Sequence, residues 1–301
     1  MLSLLNANNK QIIVMKNIIV PIDFSEESLN GLRLAIHFAN RFSSRIQMVY
    51  VQKYPSEMGR VGYEEEKKKA LQNFESLKRE YAPKMLKTEQ LEYIVKKGKI
   101  FREVVNQAQA FEDSVIISST HGASGFEDLF IGSNALKIIS ASDLPVITIR
   151  HGSVPREIRT IVLPIDSSND TRQKLPLTAK IAAAFGSEVH VLGLTTTESE
   201  DIENKVSAYC KQVCEYLKDH DIKYKLERQK GSSVTTATIN YALDVEADLI
   251  SIMTEQNDSL ADLVLGTSAQ HMLNKSPVPV LSITPKEIFI LGSFRTSGAP
   301  Y

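Results

Sequence analysis

The sequence predicts an α/β protein built from two tandem doubly wound domains, each with a five-stranded parallel sheet. Three observations carry that prediction. The first is an internal repeat. Asn17-Ile18-Ile19-Val20-Pro21-Ile22-Asp23 returns as Thr160-Ile161-Val162-Leu163-Pro164-Ile165-Asp166, an offset of 143. Leu144-Pro145-Val146-Ile147-Thr148-Ile149 returns as Val278-Pro279-Val280-Leu281-Ser282-Ile283, an offset of 134, and Gly132-Ser133 returns as Gly266-Thr267 at the same spacing. The second is alternation within each copy: short apolar runs separate stretches of helical periodicity, which is the pattern of βαβ units. The third is length, because 301 residues suit two domains of about 150. The expected organisation is an extension over 1–14, a first domain over 15–151, a second over 156–285 and a tail over 286–301, with the join near His151-Gly152-Ser153-Val154-Pro155.

Residues 17–22 form a continuous β-branched apolar run, as in a strand buried on both faces. Ser25 is placed to cap the next helix, with Glu26 and Glu27 in its first turn and Leu29, Leu32, Ile36 and Ala39 on one stripe. A second strand follows over 46–51. Residues 64–81 read as a helix: Glu64/Lys68 and Glu65/Lys69 pair one turn apart, and Leu71, Phe74, Leu77 and Tyr81 make its buried face. Strand 91–95, the turn at Gly98, helix 101–111, strand 114–119, helix 133–141 and strand 145–149 complete the unit. Gly98 matches Gly231 at an offset of 133, so the second copy lacks about ten residues before Gly231. The sequence places that loss in the loop after the second strand or in the helix beyond it.

Composition removes several function classes. Lys+Arg is 35 and Asp+Glu 36, a net charge of −1, which gives no reason to expect nucleic acid or an anionic membrane as a partner. The apolar runs are strand-sized, short of the roughly 20 residues of a membrane span. Tryptophan is absent, so no indole stacking platform is available. The two cysteines, Cys210 and Cys214, lie one helical turn apart, poor geometry for a disulfide, and read as reduced thiols on a packed face. Met1-Leu2-Ser3-Leu4-Leu5-Asn6 lacks the basic start and long apolar centre of a signal peptide, and Met15 precedes the first strong strand. A cytoplasmic location is expected.

In doubly wound sheets a ligand sits beyond the carboxyl ends of the strands where strand order reverses. With the first strand central and the fourth beside it, the flanking loops carry Asp23 and residues 120–132. The second loop reads Ser119-Thr120-His121-Gly122-Ala123-Ser124-Gly125-Phe126-Glu127-Asp128-Leu129-Phe130-Ile131-Gly132-Ser133-Asn134. Glycine after a strand lets backbone N–H groups approach a phosphate, and a second glycine before a helix start favours an anion. The same residues also serve as a simple turn and a helix cap, and Asp23 also stands where it would cap the Ser25 helix. At this level both readings are open.

From about residue 15 to 285 the chain resembles a tandem universal stress protein. Nucleotide-binding members of that family carry Gly-x2-Gly-x9-Gly-Ser/Thr after the fourth strand. Here Gly122, nine residues, Gly132 and Ser133 match the second half, while Ser119 stands at the first glycine position. The family's acidic residue after the first strand falls on Asp23, and the strand end that borders the adenine falls on Val51. The resemblance implies a Rossmann-like fold of the adenine-nucleotide alpha-hydrolase type with strand order 3-2-1-4-5. It also implies ATP or another adenine nucleotide, with Mg2+, in the first domain. The implied site is Asp23, Val51, Ser119, His121, Gly122, Gly132, Ser133 and Asn134. His121 would contact an anion or position the loop. In the second copy the two earlier glycine positions are Met253 and Gln256, so triphosphate binding is expected to be weak or lost there, although Asp166 is kept. The family usually pairs domains through the fifth strand, so strands 145–149 and 278–283 are candidates to pair with each other; a homodimer of tandem chains is a further expectation.

No catalytic set emerges: there is no Walker lysine, no Gly-x-Ser-x-Gly elbow and no convincing carboxylate pair, so at most slow ATP hydrolysis is expected. His37, His151, His190, His220 and His271 lack metal-ligand spacing and read as solvated or helix-face residues. The expected function is a stress-response regulator that uses nucleotide occupancy as a switch. The alternative is a scaffold acting through contacts with an unidentified protein client.

Overall fold

A computed structural model describes residues 15–52, 59–120, 132–150, 154–155, 157–231, 233–254 and 265–285. The expectations for the extension 1–14, for His121, Gly122 and Gln256, and for the tail 286–301 lie outside these residues.

The first half runs β1 (Asn17–Pro21), α1 (Glu26–Phe42), β2 (Arg45–Gln52), α2 (Gly59–Tyr81), β3 (Leu91–Lys97), α3 (Ile100–Gln109), β4 (Ser114–Ser119), α4 (Ser133–Ala141) and β5 (Val146–Ile149). The second half repeats it as β6 (Thr160–Ile165), α5 (Leu175–Phe185), β7 (Glu188–Thr195), α6 (Glu200–Asp219), β8 (Tyr224–Lys230), α7 (Val234–Asp244), β9 (Leu249–Met253), α8 (Thr267–Lys275) and β10 (Val280–Ile283). Helix α2 begins five residues before the expected start at 64, and two short 3-10 turns follow it. Strand β5 begins after Pro145, which has no N–H to give to a ladder.

The strands form one ten-stranded sheet in the order β3-β2-β1-β4-β5-β10-β9-β6-β7-β8. Each half therefore has the order 3-2-1-4-5, and strand order reverses between β1 and β4 and again between β6 and β9. Pairing within each half is parallel. The halves join through an antiparallel pair, β5 with β10, in the register Thr148↔Val280, Ile147↔Leu281 and Val146↔Ser282. Two apolar fifth strands that would otherwise be exposed edges thus cover each other.

The apolar strands face a core on either side. Ile18 and Val20 lie in the core under α1 and α2, while Ile19 faces α3 and α4. The first of these cores runs without a break into the second half. Across the seam Phe38 of α1 meets Phe185 of α5 edge to face at 5.1 Å, with the Arg41 guanidinium over the Phe185 ring.

The missing residues of the second half do not all lie where the sequence suggested. Strand registers fix the loss at ten residues, since Leu91 pairs Ile46 and Tyr224 pairs Val189. Two are lost from the loop before α6 and three from the helix, but five come from the connection after it, where the first half has its 3-10 turns. The repeat pattern could not resolve this, because helix ends carry no strong motif. Among the described residues no helix is long and apolar enough to cross a membrane.

Candidate functional site

The first switch point lies between the carboxyl ends of β1 and β4. Ile19 pairs with Ile116, so Asp23 and Ser119 leave neighbouring strand ends. Helix α1 closes down on this point at Gly31: a methyl group there would sit 3.4 Å from the Ser119 backbone nitrogen.

The β1–α1 loop is fixed by local hydrogen bonds. The Asp23 carboxylate accepts from the Ser25 N–H at 3.0 Å and the Ser25 hydroxyl at 2.5 Å. Ser25 Oγ in turn accepts from the Ser28 N–H, capping α1, and Ser28 Oγ accepts from the Asp23 N–H at 3.4 Å. Asp23 is therefore a turn residue as well as an exposed carboxylate at the switch point. Phe24 holds a left-handed φ of 66°, uncommon for a non-glycine residue. Its ring packs 5.2 Å from Tyr50 and 5.0 Å from Phe74.

Beyond β4 the chain leaves and returns to one point. The Gly132 N–H donates to the Thr120 carbonyl at 2.6 Å, and the Thr120 N–H donates to the Ile149 carbonyl at 2.8 Å. These bonds set the start of α4 beside the end of β4. Gly132 is the N-cap and supplies no side-chain cap for the first N–H groups of α4, beside which Ser133 and Asn134 are exposed. Ser119, Gly132, Ser133 and Asn134 are thus brought together near Asp23.

Val51 stands at the end of β2, half-buried, and packs partly against the core under α3 and α4. On the opposite face of the strand the sequence signalled nothing, yet a polar cluster is built there. Tyr50 donates to Glu66 Oε1 at 2.5 Å, and Gln52 donates to Glu66 Oε2 at 3.0 Å and to the Tyr63 carbonyl. Burial first, then the bond to Glu66 and the charges of Glu66 and Asp23, raise the Tyr50 hydroxyl far above its ordinary value, so it remains a donor.

The second switch point keeps the acid and changes its setting. The Asp166 carboxylate accepts from the Ser168 N–H and hydroxyl, and the Asp166 N–H donates to Thr171 Oγ1 at 3.2 Å. Helix α5, however, starts at Leu175, six residues later than the register of α1, because Pro176 in its first turn has no N–H and its ring forbids a preceding turn of helix. Lys174, at the offset of Gly31, is only 3% exposed. Its ammonium donates to the Thr171 carbonyl at 2.6 Å and to Thr171 Oγ1 at 3.2 Å. Burial pushes Lys174 down to about 8 against the pull of Asp166. For Asp166 burial pushes upward, but Lys174, Ser168 and Thr171 together hold the carboxyl below its usual value. Sequence reading, focused on glycines, missed Lys174; the available signal was a lysine two residues before a proline where the first copy has Gly31. Met253, at the offset of Ser119, is half-buried, and Gly266 repeats the uncapped start of α4 at α8.

The other candidates sort plainly. His190 is not solvated as expected: it is buried on β7, 2.9 Å from the Tyr241 hydroxyl and 3.0 Å from Glu188 Oε2, because its position alternates onto the face under α7. His37 lies on α1, and burial, then the Arg41 charge, lower its pKa. Cys210 and Cys214 are free and buried. Burial pushes the Cys210 thiol up to about 11, with Cys214 adding to the rise and Arg228 opposing it, which leaves it unreactive. Among the described residues no group of three or more His, Cys, Asp or Glu side chains could hold a metal ion.

Comparison with known proteins gives the family and the fold. The sequence model of the universal stress protein family matches residues 15–150 and again 157–283. A universal stress protein of Methanocaldococcus jannaschii is 27% identical over 145 residues, which is 45% of this chain and 82% of that protein. One of Bacillus subtilis is 26% identical over 151 residues, 46% of this chain and 100% of that protein. Among solved structures, a universal stress protein from Archaeoglobus fulgidus matches 91% of this chain and 99% of its own, with a TM-score of 0.72 at 18% identity, a likeness of fold.

Proposed function

The chain belongs to the universal stress protein family, and on that premise we propose that its first domain binds ATP or another adenine nucleotide and uses occupancy as a stress-response switch. The observation that carries this reading is the bond from the Gly132 N–H to the Thr120 carbonyl. It sets the start of α4, with Ser133 and Asn134, beside the strand end that bears Ser119. Phosphates would lie on that helix start, where the dipole and backbone donors favour negative charge without any basic side chain. The nucleoside would extend past Asp23 toward Val51 at the end of β2. His121 and Gly122, in the loop joined by the Thr120–Gly132 bond, would cover the phosphates. Any Mg2+ would come with the phosphates, since the described residues offer no multidentate site of their own. We place the protein in the cytoplasm, in keeping with two free buried thiols.

Titration calorimetry with ATP, ADP, AMP and cyclic AMP tests the proposal. Heat is expected for at least one of them, and no heat at millimolar ligand would overturn it. Gly132→Val should abolish binding while the chain stays folded. The φ of −59° and ψ of 140° at Gly132 are open to valine, so the loss would come from its side chain standing where a phosphate must approach.

One observation favours the alternative, a scaffold that works through protein contacts. Asp23 and Asp166 make the same local turn, so the acid is explained by folding alone. A chain that purifies free of nucleotide and holds a stable partner in pull-downs would decide for the scaffold.

A further inference from the structure

We propose that Lys174 is a resident cation of the second domain's switch-point crevice, which neutralises Asp166 and closes that crevice to anionic ligands. Four observations carry it. First, the register is secure. The same bond, from the Asp N–H to a hydroxyl five residues on, is made by Asp23 to Ser28 and by Asp166 to Thr171, and the α1 and α5 helices end at the same offset. Lys174 therefore stands where Gly31 backs onto β4 in the first domain. Second, the ammonium is enclosed and bonded twice to Thr171, whose hydroxyl also accepts from the Asp166 N–H. Third, the seam beneath has turned polar to match. Thr178 Oγ1 lies 2.8 Å from the Lys174 carbonyl and 2.8 Å from Ser251 Oγ, where the first domain has Ala35 and Ile117. Fourth, α5 starts only at Leu175, whose N–H donates to the Arg172 carbonyl, and the Thr171 carbonyl is left to accept the ammonium.

A buried ammonium persists only where its charge is offset and its hydrogens are bonded. Asp166, from the end of β6, is the charged group that acts on Lys174, and the two are linked through the Thr171 hydroxyl, which accepts from both the ammonium and the Asp166 N–H. A phosphate entering beside Asp166 would meet the carboxylate and could reach the Lys174 charge only by drawing the enclosed ammonium off both Thr171 oxygens. The second domain thus meets its acid's need for a counter-charge internally. This goes beyond nucleotide binding in the first domain and does not depend on it.

The test is carbon NMR of the full chain with its lysines labelled at Cε, the Lys174 signal being assigned by its loss in Lys174→Met. One lysine is expected to titrate with a midpoint near pH 8, well below the ordinary value of about 10.4. Asp166→Asn should move that midpoint lower still. Millimolar inorganic phosphate or ATP should leave the signal where it is. A Lys174 midpoint at the ordinary lysine value, or a signal that moves with phosphate, would overturn the proposal; the wild-type titration decides this even if Asp166→Asn fails to fold. Calorimetry on the same sample separates the two domains. Heat from ATP with a stationary Lys174 signal means that the first binds and the second is closed. No heat with a stationary signal overturns only the first-domain reading.

Discussion

The two switch points share one scaffold and differ in what fills it. In the first domain, α1 begins right after Ser25, Gly31 lets it lie against β4, and Asp23 remains exposed. In the second, Pro176 delays α5, and the freed turn buries Lys174 beside a half-buried Asp166. The two halves keep one fold despite this difference, because the sheet and both cores rest on apolar strands that Pro176 and Lys174 do not belong to. The acid survives in both copies because it also holds the turn. Keeping Asp166 is therefore no sign that the second crevice still binds a ligand.

That contrast can be broken most severely at the acids. Asp166→Asn removes the half-buried charge nearest Lys174, which it meets through Thr171, and urea unfolding should show a loss of about 2 kcal/mol. Asp23→Asn, at an exposed position where the amide oxygen still accepts from Ser25, should change stability by less than about 1 kcal/mol. Equal effects would mean that the Asp166–Lys174 coupling is not what separates the domains.

A smaller difference is expected at the paired glycines. Gly98 has a φ of 139°, and a methyl group there would meet Glu103 Oε1 at 3.2 Å. Gly98→Ala should lower the thermal midpoint by the equivalent of about 1–2 kcal/mol. At Gly231 a methyl group would meet, among the described residues, Ala237 Cβ first at 3.9 Å, so Gly231→Ala should stay within about 0.5 kcal/mol of wild type.

The smallest effect concerns the helix ends. Helix α1 ends on Ser43 at a left-handed φ of 54°, and α5 ends on Gly186 at 72°. Ser43→Gly should stabilise the first domain by about 0.5–1 kcal/mol in the same unfolding assay, and Gly186→Ala should destabilise the second by a similar amount. A null result at Ser43 would show that its side chain offsets the strained backbone.

Much of the fold was legible in the residues. The repeat gave two units, and runs such as Ile18-Ile19-Val20 gave strands buried on both faces, because burial demands apolar side chains at successive positions. The apolar fifth strands pointed to each other as partners, and β5 and β10 do pair. Helix limits were less legible: α2 starts at Gly59 before any strong apolar stripe, and five of the ten missing residues lie in a connection that has no periodicity to read. At the first crevice Asp23, Ser119, Gly132 and Ser133 could be named from motif spacing, and they lie together because β1 and β4 are neighbours. His190 was misread as solvated because a lone histidine in a strand does not reveal which face it takes, and the packing of α7 decided that.

By itself, then, the sequence determined the duplicated unit and its alternation of strands and helices. These follow from local rules of periodicity, capping and turn chemistry. The tertiary structure alone decided that the seam between the fifth strands is antiparallel, and that Lys174 is buried. Whether a lysine is solvated or buried depends on which distant segments exclude water from it. Here the turn before α5 brings Thr171 onto the ammonium and the Asp166 N–H onto the same hydroxyl.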